Sequence, residues 1–150
     1  MRILFIEDEP RKRKQVFDFL NEVLSKPEIE IKESYNSGLR ELISNKEKYD
    51  ILLLDMSMPN YDITNEDNGG DWLPFAGKLI LKNMFLRQIS TKAIVVTMHG
   101  MFDDGTKLDQ LDSELKEEFP DNYIGYIHYS QINFDWKNQL ETLLKSQNYA

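Results

Sequence analysis

The chain has no cysteine and only two histidines among its 150 residues, so disulfide staples, thiolate metal sites and thiol nucleophiles are excluded together. Its core must stand on burial alone. Positive charge is also short: 18 Lys and Arg face 26 Asp and Glu, a formal net charge of -8, the wrong sign for holding a nucleic-acid backbone by counterion release. Direct nucleic-acid binding is not expected. No apolar run approaches the roughly 20 residues of a membrane helix. The apolar segment in the opening Met-Arg-Ile-Leu-Phe-Ile-Glu-Asp is too short for a signal peptide. These absences predict a cytoplasmic, unprocessed protein without membrane contact. Glycine-rich phosphate loops are missing too, since no Gly-x-x-x-x-Gly-Lys or Gly-x-Gly-x-x-Gly follows the first apolar run.

With 41% hydrophobic and 29% charged residues, a chain of this length predicts one compact domain over 1–150. Wholly apolar runs at Ile3 to Ile6, Ile51 to Leu54 and Ala93 to Val96 are too short for helices and read as strands buried on both faces. Ile29 and Ile31 alternate with Glu30 and Lys32, which predicts a strand exposed on one face. A first helix begins at Pro10 and carries Val16, Leu20, Val23 and Leu24 at helical spacing; a second is capped by Ser37 and carries Leu39, Leu42 and Ile43. A third lies within Trp72 to Ile89, weakened at its start by Pro74 and Gly77, and a fourth spans Lys107 to Phe119. Tyr123 to Tyr129 forms a fifth strand and Trp136 to Leu144 a last helix. Strict alternation of five strands and five helices predicts an α/β, flavodoxin-like, doubly wound parallel sheet of order 2-1-3-4-5.

In such a sheet ligands bind beyond the carboxyl ends of the strands, where strand order reverses. The first strand ends in Glu7, Asp8 and Glu9 and the third in Asp55; in this order they are neighbours. Two like charges 4 Å apart repel by about 4 kcal/mol at an effective dielectric of 20. Either a carboxyl takes up a proton or a divalent cation sits among them, and hard oxygen donors suit Mg²⁺. A carboxylate such as Asp55 beside a cation can attack phosphorus, and the hydroxyl of Thr97, at the end of the fourth strand, can donate to a phosphoryl oxygen there. Arg11, Lys12, Arg13 and Lys14 open the first helix against its dipole and read as a solvated face.

Ile-Leu-Phe-Ile-Glu7-Asp8-Glu9-Pro10, Asp50-Ile-Leu-Leu-Leu-Asp55-Met56-Ser57-Met58-Pro59 and Val95-Val96-Thr97-Met98-His99-Gly100 together resemble the receiver domain of two-component response regulators over nearly the whole chain. The resemblance implies that Asp55 is the phosphoacceptor. Glu7 and Asp8 would be the acidic pair holding Mg²⁺, with the Ser57 carbonyl as a further ligand. Thr97 would follow the phosphoryl group and Tyr126 would be the switch aromatic. It also implies a sensor histidine kinase or small phosphodonor as donor and a downstream protein partner, with pairing to a second copy of the chain open. The last helix runs to the chain terminus, which predicts a stand-alone domain whose output is a protein contact on the face of helix four, strand five and helix five. Two other readings stay open: a pseudo-receiver that binds partners without phosphotransfer, and a Mg²⁺-dependent phosphatase working through Asp55.

The sequence departs from the receiver pattern in three places. Receivers carry a Lys three residues after the switch aromatic, often followed by Pro; here Tyr129 and Ser130 stand there, and the ammonium that pairs with phosphate is lost from the strand. Alternation points His128 to the opposite face from residue 129, which leaves His99 as the better-placed substitute. Met98 follows Thr97 where a small residue is usual, a long side chain able to narrow access. Finally, insertions fall near 60–71, with Asp62, Glu66, Asp67 and Asp71, and near 102–122. The acids do not have EF-hand spacing, and the first insertion reads as a solvated acidic loop.

Overall fold

The structure, a computed structural model, describes residues 1–148. The strands are β1 (Arg2–Ile6), β2 (Glu28–Lys32), β3 (Ile51–Leu54), β4 (Met58–Pro59), β5 (Trp72–Leu73), β6 (Lys92–Thr97) and β7 (Tyr123–His128). The helices are α1 (Pro10–Val23), α2 (Tyr35–Ser44), α3 (Ala76–Leu86), α4 (Leu108–Glu118) and α5 (Asp135–Ser146). Five strands form a parallel sheet in the order β2-β1-β3-β6-β7, which is the expected 2-1-3-4-5 once the short antiparallel pair β4-β5 is set aside. The sequence reading did not anticipate that pair, because two residues per strand carry no periodicity.

The period-two alternation of buried strands divides the core into two layers. Leu4, Ile6, Leu52 and Leu54 pack with residues of α2, α3 and α4. Ile3, Phe5, Ile51 and Leu53 pack on the other face with Val16 and Leu20 of α1 and Trp136 and Leu140 of α5. The register Ile6↔Leu54 puts the residues that follow, Glu7 and Asp55, side by side at the carboxyl edge.

Local sequence fixes how the helices meet that edge. Pro10 opens α1, and the Glu9 side chain caps it by accepting from the backbone N–H groups of Arg11 and Lys12. Helix α2 corrects the cap expected from sequence. Ser34 is the N-cap and Ser37 sits three residues inside, the two serines forming a capping box. Helix α3 starts at Ala76, after Pro74, and its Gly77 lies so close to the site that a Cβ there would stand 2.6 Å from the Asp55 carbonyl oxygen. The Gly77 N–H donates to the Met56 carbonyl at 2.9 Å, which ties α3 to the end of β3.

Candidate functional site

Three side chains, following two strands and opening a helix, meet in a largely buried pocket at the carboxyl edge of β1 and β3. Glu7 is 1% exposed, Asp55 8% and Lys12 1%. The Lys12 ammonium lies 2.5 Å from Glu7 Oε2 and 2.8 Å from Asp55 Oδ2, and it donates to the Val96 carbonyl at 2.6 Å. The other Asp55 oxygen, Oδ1, accepts from the Met56 N–H at 2.6 Å. The carboxylate is thus held at both oxygens, one by a charge and one by the backbone.

This arrangement corrects the reading of Arg11 to Lys14 as one solvated face. Arg11 reaches Gln131, Lys14 pairs with Asp18 at the surface, and Arg13 binds the Glu7 and Asp8 carbonyls and Glu33. Lys12 alone turns inward, because it lies on the buried stripe Lys12, Val16, Phe19, Leu20. That signal was in the sequence, since one turn before Val16 on the apolar face is position 12. The run of four basic residues masked it.

One ammonium among buried carboxylates decides their protonation. Burial pushes the Glu7 carboxyl up to about 8, with Lys12 pulling it down and the Asp55 charge adding to the rise. Burial works against the charge of Lys12, but Asp55 and Glu7 outweigh it and hold the ammonium above its ordinary range. Burial also raises Asp8, with the hydrogen bond to Glu7 opposing it and Asp55 contributing to the rise. Of the two carboxyls that face the ammonium, Glu7 is the one inclined to keep its proton toward neutral pH.

Position 129 explains where the strand-end lysine went. Tyr129 is buried, its hydroxyl donates to Gln15 of α1, and its ring packs 5.3 Å from that of Trp136. The ring centroid lies 6.0 Å from the Lys12 ammonium. An aromatic fills the volume at the strand end, and the cation enters from the helix instead. His128 faces solvent, as alternation predicts, and contacts the Met98 carbonyl through Nε2 at 3.1 Å. His99 packs against Phe102. Met98 is exposed and lines a surface groove with His128, Tyr129 and Gln139.

The remaining expected residues are distributed around the pocket. Thr97 ends β6 fully buried, one residue beyond the carbonyl that Lys12 binds, with its hydroxyl accepting from the His99 N–H at 3.1 Å. Ser57 is buried and lines a cleft of about 130 Å³ with Trp72, Pro74, His99, Met101 and Phe102. The 102–122 insertion thus borders that cleft through Phe102 and Asp103. Tyr126 is half-buried against the core layer that contains Leu111 and Leu115.

Asp8, Asp55 and the Ser57 carbonyl are the hard oxygen donors that Mg²⁺ prefers, and the Asp55 charge acts on Asp8. They fit that ion in kind. Glu7 does not, because its carboxylate faces Lys12. Among the described residues no three His, Cys, Asp or Glu side chains group closely enough to hold a metal by themselves, so backbone and water oxygens would have to complete any shell.

The sheet order and the acids at its carboxyl edge are those of a receiver domain, and a response regulatory protein similar over nearly its whole length shows that the chain belongs to the receiver family of two-component response regulators. No family model matches the chain. It is 30% identical over 144 residues to the Detocs response regulatory protein DtcB of Enterobacter cloacae, covering 93% of this chain and 95% of that one. It is 31% identical over 146 residues to the uncharacterized protein y4jR of Sinorhizobium fredii, covering 94% and 95%. A receiver domain from Clostridium thermocellum has the same fold, with a TM-score of 0.62, 18% identity, and 98% and 96% of the two chains covered.

Proposed function

We propose that this chain is a stand-alone, cytoplasmic receiver that accepts a phosphoryl group on Asp55 and signals by protein contact. One observation carries the reading: the Asp55 carboxylate is buried at the sheet's carboxyl edge and fixed at both oxygens, so its orientation is set before any donor arrives. The family membership and the DtcB relative, matched over 95% of its length, support a receiver of similar extent. Among the described residues no helix is long and apolar enough to cross a membrane.

In the proposed reaction an Asp55 oxygen attacks phosphorus of a sensor kinase phosphohistidine or of a small acyl phosphate. The new O–P bond forms as the bond to the leaving group breaks, and the leaving group departs with the electron pair. Mg²⁺, held by Asp8, Asp55 and the Ser57 carbonyl, would offset phosphoryl charge. Thr97 lies at the end of the adjacent strand, where a hydroxyl can follow the phosphoryl group, and Tyr126 packs beneath α4, where a change in rotamer would alter the α4-β7-α5 surface.

A second reading, the pseudo-receiver, is favoured by the buried Tyr129 at the strand-end position where receivers carry a Lys. Intact mass after incubation with acetyl phosphate and Mg²⁺ separates the two. We expect a gain of one phosphoryl group, lost in Asp55→Asn. No gain identifies the pseudo-receiver, and repeated turnover of a phosphoester identifies a phosphatase.

A further inference from the structure

We infer that Lys12, entering from α1, is the cation that pairs with the phosphoryl group on Asp55, in the role that the strand-end position, here Tyr129, has given up. The inference rests on Asp55 being the phosphoacceptor. Three observations carry it.

First, among the described residues Lys12 is the only cation within 4.0 Å of Asp55. Transfer from acetyl phosphate joins the phosphoryl group to an Asp55 oxygen and releases acetate. The side chain changes from a carboxylate of charge -1 to an acyl phosphate of about -2, in a largely buried pocket. The ammonium already touching Asp55 Oδ2 is the group that meets the added charge.

Second, the ammonium is placed by structure that does not depend on phosphate. Its Cα is fixed in the first turn of α1 by the Glu9 cap, and its chain lies on the same buried stripe as Val16 and Leu20. The contact to the Val96 carbonyl anchors it to β6 beside Thr97. With Asp55 and Glu7 that carbonyl gives the three hydrogens of the ammonium three oxygen neighbours, which fixes its position.

Third, the two positions are complementary in volume. Tyr129 fills the strand end with its hydroxyl engaged by Gln15, and its ring flanks the ammonium. The charge has moved between elements while the packing stays closed. Lys12 and Tyr129 therefore form one exchange: a helix cation with a strand aromatic, in place of the strand cation.

The test returns the charge to the strand. The full chain, Lys12→Met, and Lys12→Met combined with Tyr129→Lys are each incubated with acetyl phosphate and Mg²⁺, and phosphoryl gain is followed by intact mass. Loss of a charge-assisted contact predicts that Lys12→Met reacts roughly 10- to 100-fold more slowly. The second substitution is expected to recover most of that rate. A Lys12→Met protein that reacts as fast as the unmodified chain overturns the inference and leaves the Asp55 reading standing. A double variant as slow as Lys12→Met also overturns it, because the loss then comes from packing. If the unmodified chain gains no phosphoryl group, the Asp55 reading falls and takes this inference with it. Circular dichroism checks folding. Should Lys12→Met not fold, the unmodified protein still decides by lysine-labelled NMR: the signal of the buried ammonium is expected to shift on phosphorylation, and an unmoved signal overturns the inference.

Discussion

Glu7 and Asp55 at the strand ends, and Asp62, Glu66 and Asp67 in the 60–71 segment, are the same chemical groups in two settings. At the strand ends the carboxyls are buried and answered by one ammonium, which leaves one of them inclined to keep its proton. In the insertion they are exposed and answered by short-range dipoles. Asp62 accepts from the hydroxyls of Ser34 and Ser37 at 2.7 and 2.9 Å, and Asp67 accepts from the Gly69 N–H at 2.9 Å. Water screens the second set far more than the first. The lesson is that acid density says little about chemistry until burial and counter-charge are known.

The contrast is broken most severely by removing the counter-charge. Lys12→Ala leaves two carboxyls facing each other in a largely buried pocket, and the loss of one partner from a buried ion pair costs about 3–5 kcal/mol. Urea denaturation at pH 8 is the measurement, and a loss below about 1 kcal/mol would show that the pocket behaves like the surface.

A smaller effect separates the two settings by pH. The folded protein holds the Glu7 proton where the unfolded chain, titrating near 4.5, has released it. Folding thus takes up a proton between pH 4.5 and about 8, and stability declines across that window as pH rises. The slope from one such group is at most about 1.4 kcal/mol per pH unit. Glu7→Gln is expected to flatten it, read from urea midpoints in chelator at pH 5, 6.5 and 8. An equally steep dependence in Glu7→Gln would assign the slope to other groups.

The sheet and the meeting of residues 7 and 55 were readable from sequence because apolar runs of four announce buried strands and parallel order brings their ends together. The pairing partner was not read, although it was there to be seen. Lys12 belongs to the Val16–Leu20 face by helical spacing, but three basic neighbours made the four look like one solvated patch. A charge on an apolar stripe is the stronger signal, since burying it requires partners that the fold must provide. Ser34 and Ser37 were confused for a related reason: in a capping box both serines exchange hydrogen bonds with the helix end, and composition alone does not say which is outside. The β4-β5 pair left no trace because each strand is two residues long.

The smallest effect concerns the insertion itself. Asp62 is exposed along the chain yet its Oδ1 receives both serine hydroxyls at the start of α2, so it pins the 60–71 segment to that helix end. The backbone bond from the Asn36 N–H to the Asn60 carbonyl at 2.9 Å runs beside it and would survive the loss of the side chain. Asp62→Ala is therefore expected to cost about 1 kcal/mol, the worth of a surface-accessible hydrogen-bond pair. Glu66→Gln, which keeps the backbone contact of Glu66 to Thr64, is expected to stay within about 0.5 kcal/mol. Equal effects in the two variants, read from urea midpoints at pH 7, would mean that the Ser34–Asp62–Ser37 contact does not hold the segment. A loss in Asp62→Ala alone would divide the insertion into an anchored root and a solvated tip.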